Sequence, residues 1–358
     1  MPTRFRVASF NVENLFERAR LLNFDDNAQA DPLLARVEEL RQELKRKTYD
    51  KEKILKLYHE LKEWIEIAEV RGKLFDRNKT QVKADGVDDW GGFIDFKKER
   101  FTEEARANTA RVIRTVNADI CCLVEVESRP VLKHFCIDRL PKKGTFKDYR
   151  HLMLIDGNDP RGIDVALASR FPLLTLRSHV DDRSGNSSIF SRDCLEIEVD
   201  TPVGAVWILL NHFKSKGYGA QATSDAKRKR QAERVAEILQ TNFDLRKDRV
   251  IVVGDLNDTP DSKPLKPLLG VKHLHDVLAL TFSDAADRWT YHYKKNEQID
   301  FMLVSEPLRA ALKDAGVERR GIFGVDKFTN GQVQAFDTVK RPKDAASDHG
   351  AVWADFEL

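Results

Sequence analysis

Val250–Pro260 reads VIVVGDLNDTP, four β-branched apolar residues followed by Gly254 and a polar cluster of Asp255, Asn257, Asp258 and Thr259. A short apolar run bounded by turn residues is the pattern of a buried strand. Asp, Asn, Gly and Pro also favour turns for reasons of their own, so the cluster taken alone reads as a turn. Similar runs recur on both sides of it, at Phe5–Val12, Asp119–Val126, Asp164–Ser169, Leu195–Val199, Ala205–Leu210, Ile299–Val304 and Ala351–Phe356. Helical patterns lie between several of these strands. Thr102 caps a segment with Glu103 and Glu104 in its first turn and Ala107, Ala110, Val112 and Ile113 on one face. A second helix is expected from Ser224 to about Leu239. This mixture predicts two sheets packed face to face with helices outside, a layered α/β architecture.

Residues from Ala19 to Lys97 differ in character. Leu33, Leu34, Val37, Leu40 and Leu44 keep helical spacing, as do Ile54, Leu57, Leu61, Trp64, Ile65 and Ala68, with a short break at Lys47–Asp50. The expectation is a helical hairpin inserted in one catalytic domain that spans 1–358. A substrate-gripping arm, an oligomer contact and a structural elaboration all fit its composition.

The chain of 358 residues is 41% hydrophobic and 33% charged. No stretch approaches the roughly 20 apolar residues of a membrane span. Sixty Lys and Arg against 58 Asp and Glu give a net charge of +2, so any polyanion site must be local. Cys121, Cys122, Cys136 and Cys194 are too few for a disulfide framework and are expected as free thiols. The first strand begins at Phe5, which leaves no room for a secretory leader, and a cytoplasmic location is the expectation.

Polar groups recur at strand ends. Asn11 closes the first strand and Glu125 the second, His212 follows Leu210-Asn211, and Asp300 opens a strand. Ser347-Asp348-His349-Gly350 precedes the last one. A carboxylate beside an imidazole fixes its tautomer and raises its basicity, a service Asp300 could give His349. Hard oxygen ligands suit Mg²⁺ or Mn²⁺, with Ca²⁺ a further candidate. Each residue alone has a structural explanation. Eight such positions, Asn11, Glu125, Asp164, His212, Asp255, Asn257, Asp300 and His349, are hard to assign to chance.

The ordered set SFNVENLF (Ser9–Phe16), LVEVE (Leu123–Glu127), RGIDVALASRFP (Arg161–Pro172), FSRDCLEIEV (Phe190–Val199), LLNHFKSK (Leu209–Lys216), VVGDLNDTP (Val252–Pro260), QIDFMLVS (Gln298–Ser305) and SDHGAVWADF (Ser347–Phe356) resembles the endonuclease/exonuclease/phosphatase superfamily, and most closely its bacterial nuclease-like members. The resemblance implies a four-layer α/β sandwich and a metal-dependent phosphodiesterase, a DNA endonuclease first, leaving 5′-phosphate and 3′-hydroxyl ends. It implies Glu125 as the main metal carboxylate, with Asn11 and Asp348 completing the shell. His349, oriented by Asp300, would be the general base, and Asp255 and Asn257 would position water and phosphate. His212 would bind a phosphate oxygen, held by Asp164, which stands where deoxyribonuclease-like members have a glutamate. Arg192 matches a phosphate-contacting arginine. Lys214, Lys216 and the run Lys227–Arg230, with Lys340, Arg341 and Lys343, would grip nucleic acid, although a charge run also suits a solvated helix face. The histidine in the His212 motif points away from abasic-site repair. A phosphatase or lipid phosphodiesterase on the same fold and a non-catalytic binding module are the alternative readings.

Overall fold

In the computed structural model, which describes residues 3–15, 27–97, 103–140, 147–159, 162–216 and 220–357, twelve strands of the larger of two units (Met1–Phe16 with Phe101–Leu358) form two six-stranded sheets, beside two short hairpins. The first sheet runs in the order Leu312–Glu318, Ala351–Glu357, Arg4–Leu15, Ile120–Val126, Asp164–Ser169, His151–Leu154. The second runs Leu274–Asp276, Asp300–Ser305, Val250–Asp255, Gly204–His212, Cys194–Thr201, Leu173–Arg177. Both mix parallel and antiparallel pairs: Arg4–Leu15 is antiparallel to the last strand and parallel to Ile120–Val126.

Side chains alternate across a strand, and this sorts the core. Phe5, Val7, Cys122, Val124 and Val165 of the first sheet meet Ile208, Leu210, Ile251, Val253 and Met302 of the second in one buried layer. On the outer face of the first sheet, Phe10, Cys121 and Leu123 pack with Val112 and Ile113 of the helix Glu103–Val116 and with Leu132 and Phe135 of the helix Arg129–Arg139. On the outer face of the second, Leu209, Val252 and Phe301 pack with Val235 and Leu239 of the helix Gln221–Asn242. Helix, sheet, sheet and helix make four layers. Each fully buried Val, Leu or Ile contributes about 1.5–3 kcal/mol, and a one-residue slip would turn a whole row outward.

All eight predicted strands are present. Four more, His151–Leu154, Leu173–Arg177, Leu274–Asp276 and Leu312–Glu318, take the four sheet edges, where much of their surface is open. Thr102, expected as a helix cap, lies outside the described residues. The four cysteines are free, three buried and Cys136 half-buried.

The second unit, Glu17–Arg100, has its own core of Leu40, Ile54, Leu57, Leu61, Leu74 and Trp90. Its helices are Asn27–Glu43 and Lys51–Leu61, the latter capped by Asp50 accepting from the Lys53 N–H at 3.0 Å. Ile65 and Ala68, expected on a helix, instead belong to a strand, Ile65–Arg71, paired with Gly91–Phe96 (Ile65 opposite Phe96, Ile67 opposite Ile94). IEIAEVR alternates and carries β-branched residues, which favour an extended chain. The four-residue spacing from Leu61 to Ile65 fits a helix and a strand alike.

Gly254 lies where the second sheet is tightest. Its φ is +130°, and a Cβ there would stand 1.9 Å from the Asn211 carbonyl oxygen on the adjoining strand. Gly254→Ala should cost more than about 2 kcal/mol, read as a lowered urea midpoint. An unchanged midpoint would mean that the two strands separate freely at this point.

Candidate active site

The interlayer rows end in polar groups at one end of the sandwich. Asp255 follows Ile251 and Val253, His212 follows Ile208 and Leu210, and Asp300 precedes Met302 and Val304. Strand pairing sets the three side by side, His212 opposite Asp255 and Asp255 opposite Asp300. Asn11 arrives from the first sheet, on the face that carries Val7 and Ser9.

Glu125 arrives by another route. Pairing shifts around it on both sides of its strand. Val124 consequently packs between the sheets while Val126 packs on the outer face, although residues two apart normally share a face. The intervening Glu125 has a φ of +69°. Bulges of this kind re-aim side chains beside active sites. Glu13, with φ +47°, occupies a matching irregularity between Asn11 and Leu15, and Asn257 has φ +55°. Positive φ is costly for side chains other than glycine, and it clusters at functional sites.

Hydrogen bonds lock the groups. His349 Nδ1 and Asp300 Oδ2 are 2.8 Å apart, and the Asp300 carboxylate makes the ring nitrogen facing it the donor. Nε2 then faces the cleft, 3.7 Å from Asp348 Oδ1 and 3.9 Å from Asp255 Oδ2. The Tyr291 ring lies against the His349 ring with centroids 4.8 Å apart. Asn11 Nδ2 donates to Asp255 Oδ2 at 3.1 Å, and its Oδ1 accepts from the Glu13 N–H at 3.0 Å. The Asn257 N–H donates to Asp255 Oδ1 at 2.8 Å. The Asp348 N–H donates to Glu13 Oε2 at 3.1 Å, and Ser347 Oγ donates to the Asn11 carbonyl at 2.7 Å. His212 Nε2 stands 3.8 Å from both Glu125 Oε1 and Asp255 Oδ2.

Of these groups all but Asp300 and Ser347 line one cleft of about 360 Å³, together with Arg192, Ser215, Lys216, Glu297 and Ile299. Lys216 bonds Asp258 at 2.9 Å. The helix beside the cleft brings a half-buried Lys227, whose pKa is pushed down by burial and by the neighbouring charges of Arg192 and Arg230.

The electrostatics of the cluster suit a cation. Burial, with Asp348 and Glu125 nearby, raises Glu13 to about 7. Burial also raises Glu125, and burial with the charge of Asp300 raises Asp255. Burial alone would lower His349, but the charges of Asp300, Asp348 and Asp255 outweigh it and hold the ring well above its usual range. Crowded carboxylates that resist ionisation are a donor set for a hard divalent ion. Asp255, Asp300 and His349 also offer ligand atoms within 4.8 Å of one another.

Of the residues read from the sequence, Asn11, Glu125, Arg192, His212, Lys216, Asp255, Asn257, Asp348 and His349 line the cleft, and Asp300 lies behind His349. Asp164 is buried with its Oδ1 accepting from the Gly157 N–H at 2.8 Å, while the described contacts of His212 are with Glu125 and Asp255. Lys214 is not among the lining residues; its backbone bonds Gln231 and Arg228. The basic run divides. Arg228 is fully buried and bonds Asp258 at 3.0 Å, Lys229 pairs with Glu233 at 3.5 Å, and Arg341 is held by Asp344. Arg228 therefore braces the fold and cannot meet a phosphate. Sequence reasoning missed Glu13 and Tyr291. Alternation from Asn11 could have flagged Glu13, whereas nothing local distinguished Tyr291.

A folded state that holds extra protons loses stability as pH rises through the shifted pKa values. Glu13, Glu125, Asp255 and His349 all shift upward. In cation-free buffer the wild type should therefore become less stable from roughly pH 5 to 8, and more steeply than Asp255→Asn. Saturating Mg²⁺ should flatten the slope. A wild-type slope equal to that of the variant would show that Asp255 titrates normally.

A model of the endonuclease/exonuclease/phosphatase family matches residues 91–349. No curated protein sequence matches the chain. Among solved structures, an endonuclease/exonuclease/phosphatase family protein from Bacteroides thetaiotaomicron aligns over 100% of this chain and 99% of its own, with 15% identity and a TM-score of 0.52. One from Bacteroides vulgatus covers 72% of this chain and 91% of its own, with 17% identity and a TM-score of 0.50. Truncated TDP2 from Caenorhabditis elegans covers 71% and 91%, with 19% identity and a TM-score of 0.47. At these identities the likeness is one of fold. The family model spans Glu125, His212, Asp255, Asp300 and His349, and with the two packed sheets this places the chain in the endonuclease/exonuclease/phosphatase family, whose enzymes use divalent metal ions to hydrolyse phosphodiesters or phosphate esters.

Proposed function

We propose that the chain is a divalent-metal-dependent nuclease that hydrolyses phosphodiester bonds of DNA to leave 5′-phosphate and 3′-hydroxyl ends. The observation that carries this reading is the His349–Asp300 pair with Nε2 turned toward a cleft of carboxylates. Glu125 and Asp348, with Asn11 and Glu13 beside them, would hold Mg²⁺ or Mn²⁺. When bound, such an ion supplies positive charge to oxygens that gain charge at the transition state and offsets the carboxylate field that keeps His349 protonated.

His349 Nε2 takes a proton from water, whose oxygen attacks phosphorus as the bond to the 3′ oxygen breaks, and that oxygen takes a proton from solvent to become the 3′-hydroxyl. Asp300 holds the ring and stabilises the imidazolium that results. Asp255 and Asn257, locked together, position the water and the phosphate. His212 and Arg192 donate to non-bridging oxygens, a form of stabilisation that grows as charge develops. Lys216, Lys227 and Arg192 gather positive charge around the cleft in a chain of nearly balanced total charge, which suits a polyanion. Asp164 supports the Arg192 side of the cleft through Gly157, which donates its N–H to Asp164 and where a Cβ would stand 3.0 Å from the Arg192 Cα.

The test is nicking of a circular plasmid under Mg²⁺ and Mn²⁺ with analysis of the ends, beside a chromogenic phosphodiester and a phosphomonoester. Cleavage confined to the monoester would replace the nuclease by a phosphatase. His349→Ala should lower turnover by roughly 10²- to 10⁴-fold and leave the far-ultraviolet spectrum intact. Near-normal rates in that variant would remove the assigned base.

A further inference from the structure

We propose that the hairpin Tyr291–Glu297 is a strand-gripping finger, in which Tyr293 stacks on the nucleobase next to the scissile phosphate and Lys294 and Lys295 meet the backbone beyond it. The proposal rests on the nuclease reading and names the part of the surface that holds the polymer.

The stem of the hairpin is tied to the catalytic histidine. Tyr291 bridges His349 in antiparallel pairing, the Gly350 N–H donates to the Thr290 carbonyl at 2.6 Å, and Tyr291 and Glu297 line the cleft themselves. Its other flank is clamped from outside: the His292 ring stacks on Phe328 at 3.4 Å and 14°, and Asn296 Nδ2 donates to the Phe328 carbonyl at 3.3 Å. His292 and Asn296 close the stem at 2.7 Å. The loop that remains, Tyr293-Lys294-Lys295, is therefore held at a set distance from the reacting centre. Two residues of extended chain beyond Tyr291 span roughly 7 Å, within reach of a nucleotide adjoining the cleft.

The tip has no use for its ring inside the protein. Tyr293 is 72% exposed, and no other exposed large hydrophobic among the described residues of the larger unit is as open. Lys294 Nζ lies 5.6 Å from the Tyr293 ring centroid, and Lys295 Nζ is 3.1 Å from Glu297 Oε1. An exposed aromatic face flanked by lysines is what single-stranded nucleic acid recognises, because every base has a face to stack and every linkage a charge. A small phosphodiester would gain nothing from this loop.

The experiment compares wild type, Tyr293→Ala and Tyr293→Phe on a single-stranded oligonucleotide and on bis(4-nitrophenyl) phosphate under Mn²⁺. Tyr293→Ala should raise KM for the oligonucleotide about tenfold more than it raises KM for the small diester, and Tyr293→Phe should restore most of the difference. Equal KM changes on both substrates, or none on the oligonucleotide, would overturn the finger while leaving the nuclease standing. A plasmid that is nicked while the single-stranded oligonucleotide stays intact would overturn the finger alone; turnover of the small diester with neither DNA cut would sink the nuclease reading and the finger with it.

Discussion

Mutual repulsion among carboxylates that the fold forces together is the constraint on which the site depends. Glu13 and Glu125 come from one sheet, Asp255 and Asp300 from the other, and Asp348 from the turn before the last strand. They meet where hydrophobic packing between the layers ends and the cleft begins. Interlayer apolar contacts hold these charges together against their own field. The protein meets part of the cost with directed hydrogen bonds from Asn11, the Asn257 N–H and the Asp348 N–H, and part by keeping protons.

Backbone geometry carries the same signature. Glu13, Glu125 and Asn257 adopt left-handed conformations at the rim of the cleft, and Gly254 abuts the neighbouring strand. Regular strands would have sent Glu125 along the outer face with Leu123. The bulge sacrifices ladder pairing there and obtains an inward-pointing carboxylate in return. Strain of this kind persists only where the surroundings over-determine it, and here two six-stranded sheets do so.

The central strands were legible in the sequence because they are buried on both faces and show as unbroken apolar runs, Val250–Val253 above all. The four edge strands were not. LLTLR at Leu173–Arg177 and LKDAGVE at Leu312–Glu318 alternate or mix polar residues because one side of each has no neighbouring strand. Of the site, the groups that end an apolar run were readable, since their place on the interlayer face follows from alternation. Tyr291 was not, because it sits in a two-residue strand of a short hairpin and reaches the site through pairing with His349, 58 residues away. The basic run Lys227–Arg230 could not be resolved from composition: Arg228 turned inward to Asp258 while Lys227 stayed beside Arg192, and sequence alone does not say which way a helix faces to within one residue.

Arg228 sets how the cleft behaves as a mechanical object. Its guanidinium, shut away from water, joins Asp258, Asp225 and the Lys214 carbonyl, and such a group cannot trade a protein carboxylate for solvent without a large loss. The helix Gln221–Asn242 and the loop of Asn257 and Asp258 that follows the strand Val250–Asp255 are thereby clasped together. The wall of the cleft that carries Asn257 is thus braced from behind by a charge shut away from water, so an ester entering there meets a surface that gives little.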